Sequence, residues 1–189
     1  MAAERILAID QATTSGFCFG EVGGSPTWGS IKFRGEGAGA IFVEYRSWLV
    51  RMIVQATPTI VVFESPFVPH AAPRFGKGGK MSTAIPMNAL TLRRLLYMAG
   101  CIEEVCSAAG VRCREVTPAE VSKFILNRVR MGRDEKKAAT LRMIRAYGFD
   151  VADDNCADAV SIWLKTEATL SPQLASRRGE GPLFLQRSN

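Results

Sequence analysis

The sequence predicts an α/β fold, a mixed five-stranded sheet flanked by helices, on three observations. Two apolar runs, Ile6-Leu7-Ala8-Ile9 and Ile60-Val61-Val62-Phe63, have the continuous hydrophobicity of strands buried on both faces. A hairpin pattern follows the first of them. Beyond the second, segments of helical spacing alternate with one more short strand, and strands in a row followed by alternating helices and strands give a mixed sheet with helices on its faces.

In order along the chain, the first strand is expected at 4–10 and the hairpin strands near 16–22 and 28–34, followed by a turn at Gly35-Glu36-Gly37-Ala38-Gly39. Ile41, Tyr45, Trp48, Leu49, Met52 and Ile53 recur at helical spacing until Pro58 ends the pattern, and residues 59–64 form the next strand. Residues 66–82 read as a polar loop. From 84 to 109, Leu92, Leu95, Leu96, Ala99, Ile102 and Cys106 mark a long amphipathic helix, ended by Gly110 before a strand at 111–116.

Thr117-Pro118-Ala119-Glu120 carries a capping box, with the proline at the first helical position, where its missing N–H costs nothing. Helices near 118–127, 135–147 and 157–167 complete a domain of residues 1–170. The tail 171–189, with Pro172, Arg177, Arg178, Gly179, Gly181 and Pro182, has no periodicity and is expected to be irregular.

A chain of 189 residues with 47% hydrophobic content suits one globular domain with a substantial core. No apolar run reaches the roughly 20 residues that span a bilayer, and Glu4 and Arg5 interrupt the start where a signal peptide needs apolar residues, so a cytoplasmic chain with no membrane partner is expected. The five cysteines are scattered, odd in number and without a CxxC pair, which argues against a disulfide framework or a zinc site. His70 is the one histidine, leaving little basis for a Ser-His-Asp triad.

The net charge of +6 favours a polyanionic partner, and its distribution favours it further. Between Glu64 and Glu103 there is no acid, whereas Arg74, Lys77 and Lys80 stand with Phe75 in the loop PHAAPRFGKGGKMS, and Arg93 and Arg94 follow. A second basic stretch carries Arg128, Arg130, Arg133, Lys136, Lys137, Arg142 and Arg145 against Asp134 and Glu135. Such a stretch is either an ordinary solvated helix face or a surface for phosphates.

Asp10 and Glu64 each end an apolar strand, and Asp158 lies at the start of the last helix, among the small residues Ala157 and Ala159. One sheet can bring all three to a single point. Grouped carboxylates repel unless a cation joins them, and hard divalent ions such as Mg²⁺ take oxygen ligands while leaving positions open for phosphate. Two such ions can support phosphodiester hydrolysis. A plainer role is open to each acid: Asp10 and Glu64 as loop caps, Asp158 as a surface acid paired with a lysine, Asp154 or Asn155 as the N-cap of the last helix.

The ordered set ILAIDQATTSGFCFG, VVFESPF, VTPAEVSKFILN and DDNCADAVSIWL resembles that of RuvC-type Holliday junction resolvases, of the ribonuclease H-like superfamily, over residues 4–168. The resemblance implies a metal-dependent, structure-selective endonuclease that works as a homodimer on four-way junctions or related branched DNA. It implies Mg²⁺ or Mn²⁺, two ions per site, held by Asp10, Glu64 and Asp158, with water attacking the phosphodiester in line. It further implies a junction-wedging role for Phe67 and a lysine near the scissile phosphate at Lys136 or Lys137, with Lys137 preferred. DNA contacts are expected at Phe67, Arg74, Phe75, Lys77, Lys80, Lys136 and Lys137.

Two departures stand out. The family has Asp-Pro-Gly where this chain has Asp10-Gln11-Ala12, and an acid or histidine three residues before its last aspartate where this chain has Asn155, preceded by Asp153 and Asp154. The fourth ligand is therefore Asp154 or Asn155. AIDQATTSG also resembles the first phosphate loop of sugar kinase and actin-like ATPases, although the chain has neither the length nor the second Asp-Gly loop they need. A resolvase-like module that binds branched DNA without cutting it is a further alternative.

Overall fold

The computed structural model describes residues 3–66, 88–128 and 131–174, together with the backbone of 74–75 and 81–82. Strand β1 (Arg5–Asp10) pairs antiparallel with β2 (Thr14–Glu21), which pairs antiparallel with β3 (Thr27–Lys32). On its other side β1 pairs parallel with β4 (Ile60–Glu64). Two short strands, β5 (Arg74–Phe75) and β6 (Met81–Ser82), form a separate antiparallel pair inside the segment expected to be only loop. Strand β7 (Arg112–Val116) pairs parallel with β4 and completes a five-stranded sheet of order β3-β2-β1-β4-β7.

Alternation along the two central strands sorts the core into two layers. Leu7, Ile9, Val61 and Phe63 pack with helix α1 (Ala38–Ala56) and helix α2 (Ala89–Ala109). Ile6, Ala8, Ile60 and Val62 pack with α3 (Pro118–Leu126), α4 (Arg133–Ala146) and α5 (Asp154–Leu170). Both faces of β1 and β4 are covered, the environment their unbroken hydrophobicity requires.

All six α1 residues expected at helical spacing are buried. Helix α2 starts later than expected, at Ala89, because the Asn88 side chain accepts from the Leu90 N–H at 2.8 Å and caps it there. Its burial runs from Met98 to Cys106, whereas Leu92 and Leu95 are half-buried and Leu96 is 44% exposed. Periodicity marks an apolar face without saying what covers it.

The capping box of α3 forms as expected: Thr117 Oγ1 accepts from Glu120 N at 3.2 Å and Glu120 Oε2 accepts from Thr117 N at 2.8 Å. Helix α4 begins at Arg133 rather than 135, with Asp134 and Glu135 in its first turn, where the helix dipole favours acids. Helix α5 begins at Asp154 rather than 157, so Asp158 lies a turn inside it. Neither Asp154 nor Asn155 is its cap. Asp153 is, accepting from Cys156 N at 2.8 Å, and its other oxygen takes a 2.8 Å hydrogen bond from Ser30 Oγ that ties the start of α5 to β3. Among the described residues no helix is long and apolar enough to cross a membrane.

Candidate active site

The parallel register of β1 and β4 brings two acids side by side. Ile9 lies opposite Phe63, so Asp10 and Glu64 occupy the next position on neighbouring strands, at the carboxyl end of both. Alternation from Ala8 and Val62 aims both toward the α5 layer. They share a hydrogen bond.

The third acid arrives from α5, and Gly16 makes that approach possible. Gly16 pairs with Asp10 across the β1–β2 ladder, and a Cβ placed on it would lie 1.9 Å from the Asn155 carbonyl oxygen and 3.1 Å from Ala159 Cβ. Backbone here meets backbone, which only glycine permits. Ala157 and Ala159 are buried on either side of Asp158, so the helix lies low on the sheet and carries Asp158 to the strand ends.

The electrostatics identify one shared neighbourhood. Burial holds the Asp10 carboxyl well above the usual carboxylate range, and the charges of Asp158, Glu64 and Asp154 raise it further, with Lys137 opposing. Burial and the charge of Asp158 push Glu64 up to about 7, against Lys136 and the hydrogen bond from Asp10. Asp158 is pushed up to about 6, mainly by burial and secondly by Asp154, with Lys136 and Lys137 opposing. Each carboxyl therefore ionises less readily than a free one, and nearby positive charge would reverse that.

Both lysines at the start of α4 reach this neighbourhood in different ways. Lys137 Nζ donates to Asp154 Oδ2. Lys136, half-buried, lines a small recess with Glu64 and Asp158, floored by Val121, Ile125 and Ile162 and edged by the hydroxyl residues Ser122, Thr140 and Ser161. Elsewhere on α4, Arg133, Arg142 and Arg145 are exposed.

The donor chemistry fits a hard divalent cation: oxygen ligands only, mutually repelling and half-buried. Among the described residues, however, no three acidic, histidine or cysteine side chains converge as a formed ligand group. Asp154 is drawn to Lys137. Asn155 presents its backbone carbonyl to Gly16.

Thus the fold brings Asp10, Glu64, Asp158, Asp154, Lys136 and Lys137 into one region. Phe67, Lys77, Lys80 and the side chains of Arg74 and Phe75 lie outside the described residues. Two further residues build the site without having been singled out as functional. Gly16 had a usable signal, since a glycine inside a strand pattern marks a bulge or close backbone approach. Gln11, whose Nε2 donates to the Glu64 carbonyl, had none beyond standing next to Asp10.

No protein-family model and no curated protein matches this chain. Solved structures do. The sheet order and the helical layers are those of a mixed α/β fold of the RuvC type. The chain resembles the Thermus thermophilus RuvC structure at a TM-score of 0.62 and 16% identity, over 89% of this chain and 96% of that one. It resembles T. thermophilus RuvC in complex with Holliday junction substrate at 0.62 and 14%, over 88% and 95%. The yeast mitochondrial Holliday junction resolvase Ydc2 matches at 0.54 and 13%, over 94% and 84%.

Proposed function

We propose that the protein is a metal-dependent, structure-selective DNA endonuclease that hydrolyses phosphodiesters in four-way junctions or related branched DNA. The observation that carries this reading is the meeting of Asp10, Glu64 and Asp158 from three separate elements, each ionising reluctantly, beside two lysines. Structural acids would each have a local cation; these share one neighbourhood whose lysines do not lower them to the usual range. The fold shared with junction resolvases supports the same reading.

Asp10, Glu64 and Asp158 would hold Mg²⁺ or Mn²⁺, two ions per site, with Asp154 as the nearest candidate for a fourth ligand. When bound, the cations supply Lewis-acid activation and neutralise charge on the phosphate. By holding the cations, the carboxylates would fix where the scissile phosphate is bound at the strand ends. Lys136, facing Glu64 and Asp158, and Lys137, on the outer side at Asp154, bring positive charge to the reacting phosphodiester. The exposed arginines of α4 extend that field to the flanking backbone.

A homodimer fits a two-fold symmetric junction, since one site per subunit then cuts two opposed strands. Helix α2 is the proposed contact, with Leu90 and Leu96 exposed on it. A monomeric mass at assay concentration, with or without junction, removes that part of the proposal.

The decisive assay uses end-labelled four-way junctions, three-way junctions, flaps and linear duplex with Mg²⁺, Mn²⁺ or chelator. Paired nicks in opposed strands of the four-way junction, dependent on the cation, are expected. Tight junction binding with no product in either cation overturns the enzymatic reading and leaves a binding module.

A further inference from the structure

The β1–β4 ladder stops one step short of the acids. Its register runs from Ile6 opposite Ile60 to Ile9 opposite Phe63, while β4 continues its pairing with β7 through Glu64 opposite Val116. Beyond Ile9 the two acid-bearing strands are joined by a side chain, as Gln11 Nε2 donates to the backbone carbonyl of Glu64. A carbonyl oxygen only accepts, so this contact fixes which end of the Gln11 amide faces Glu64.

Gln11 is 4% exposed, and its Oε1 is buried with no partner among the described residues. The turn that follows does not need it. Ser15 Oγ both accepts from Ala12 N at 3.0 Å and donates to Ala12 O at 2.8 Å, closing that turn on its own. An amide buried with half its hydrogen-bonding capacity unused is costly, and an apolar residue would fill the space more cheaply. Such exceptions among buried polar groups call for a reason beyond packing.

We propose that Gln11 is a positioning residue of the nuclease site: its amide is a side-chain rung that sets the spacing of Glu64 from Asp10, and its spare Oε1 accepts a hydrogen bond from water or ligand entering there. This rests on the nuclease reading above. The rung lies where the backbone ladder has ended, so it supplies the alignment that the ladder no longer does. The device belongs to this chain's Asp10-Gln11-Ala12 turn.

The test uses the full chain with Gln11→Met, close in size but without the amide, and Gln11→Asn, which keeps the amide but falls short of Glu64. Mn²⁺ binding is measured by calorimetry without DNA, alongside single-turnover cleavage, junction affinity and thermal unfolding. Both variants are expected to lose about tenfold or more in Mn²⁺ affinity and in cleavage rate, as removal of groups that orient ligands does, with junction affinity unchanged. Wild-type Mn²⁺ affinity and rate in either folded variant overturn the proposal for Gln11 alone. A wild-type chain that neither binds Mn²⁺ nor cuts overturns the nuclease reading, and Gln11's role with it.

Discussion

Lys137 donates to Asp154 across the gap between α4 and α5, while its neighbour Lys136 turns inward to the recess shared by Glu64 and Asp158. Two adjacent lysines therefore serve different acids, and the difference separates a supporting acid from a principal one. With side chains 44% and 36% exposed, the outer pair contributes no more than about 1 kcal/mol to stability.

Asp158→Asn should abolish cleavage while junction binding persists. Asp154→Asn should reduce cleavage by about tenfold or less, because one of its two oxygens is already engaged by Lys137. Rates for the two variants at saturating Mg²⁺ decide this, and an equal loss in both makes Asp154 a full member of the ligand set.

Gly16→Ala probes the seat of α5. The new Cβ would meet the Asn155 carbonyl at 1.9 Å, so the helix must lift and carry Asp158 away from Asp10. Denaturant unfolding should show a loss of about 1–3 kcal/mol, typical of overpacking, with cleavage lost alongside. Unchanged stability and activity would mean that the close approach is not needed.

The repelling acids make a stability prediction with a definite sign. Asp10, Glu64 and Asp158 all have folded-state values above the usual carboxylate range, so the folded chain holds their protons more tightly than the unfolded one. That contribution is full below about pH 4 and is lost as pH rises through about 6 for Asp158 and about 7 for Glu64. Without divalent cations, Asp158→Asn should therefore raise the melting temperature at pH 8 and leave it unchanged at pH 4. Mg²⁺ should stabilise the wild type at pH 8, since a ligand bound only by the folded state does so. Thermal unfolding across pH, with and without Mg²⁺, checks both.

Much of this fold could be read from the residues, and the reasons are specific. Ile6–Ile9 and Ile60–Phe63 identified the central strands because a strand buried on both faces has no polar alternation. Thr117 and Glu120 identified a helix start because a capping box is a local device. The starts of α2 and α5 were missed because Asn88 and Asp153 compete as caps with other polar neighbours, and only the backbone geometry selects between them. Asp10, Glu64 and Asp158 were legible as acids at element ends. The Gln11 bridge to Glu64 was not, because it depends on where the parallel ladder stops, a long-range property.

Lys77 and Lys80 test the basic segment whose side chains lie outside the described residues. If each neutralises one phosphate, alanine at each should flatten the slope of log affinity against log salt by about 0.9. Junction binding titrated over a range of salt gives that slope, and an unchanged value would make them ordinary solvated lysines.

The measurement closest to the heart of the account is anomalous diffraction from crystals grown with Mn²⁺. Density between the carboxylates of Asp10, Glu64 and Asp158, with their oxygens drawn together around it, is the predicted result. Crystals that hold Mn²⁺ elsewhere, or leave those three side chains apart at saturating Mn²⁺, would contradict it.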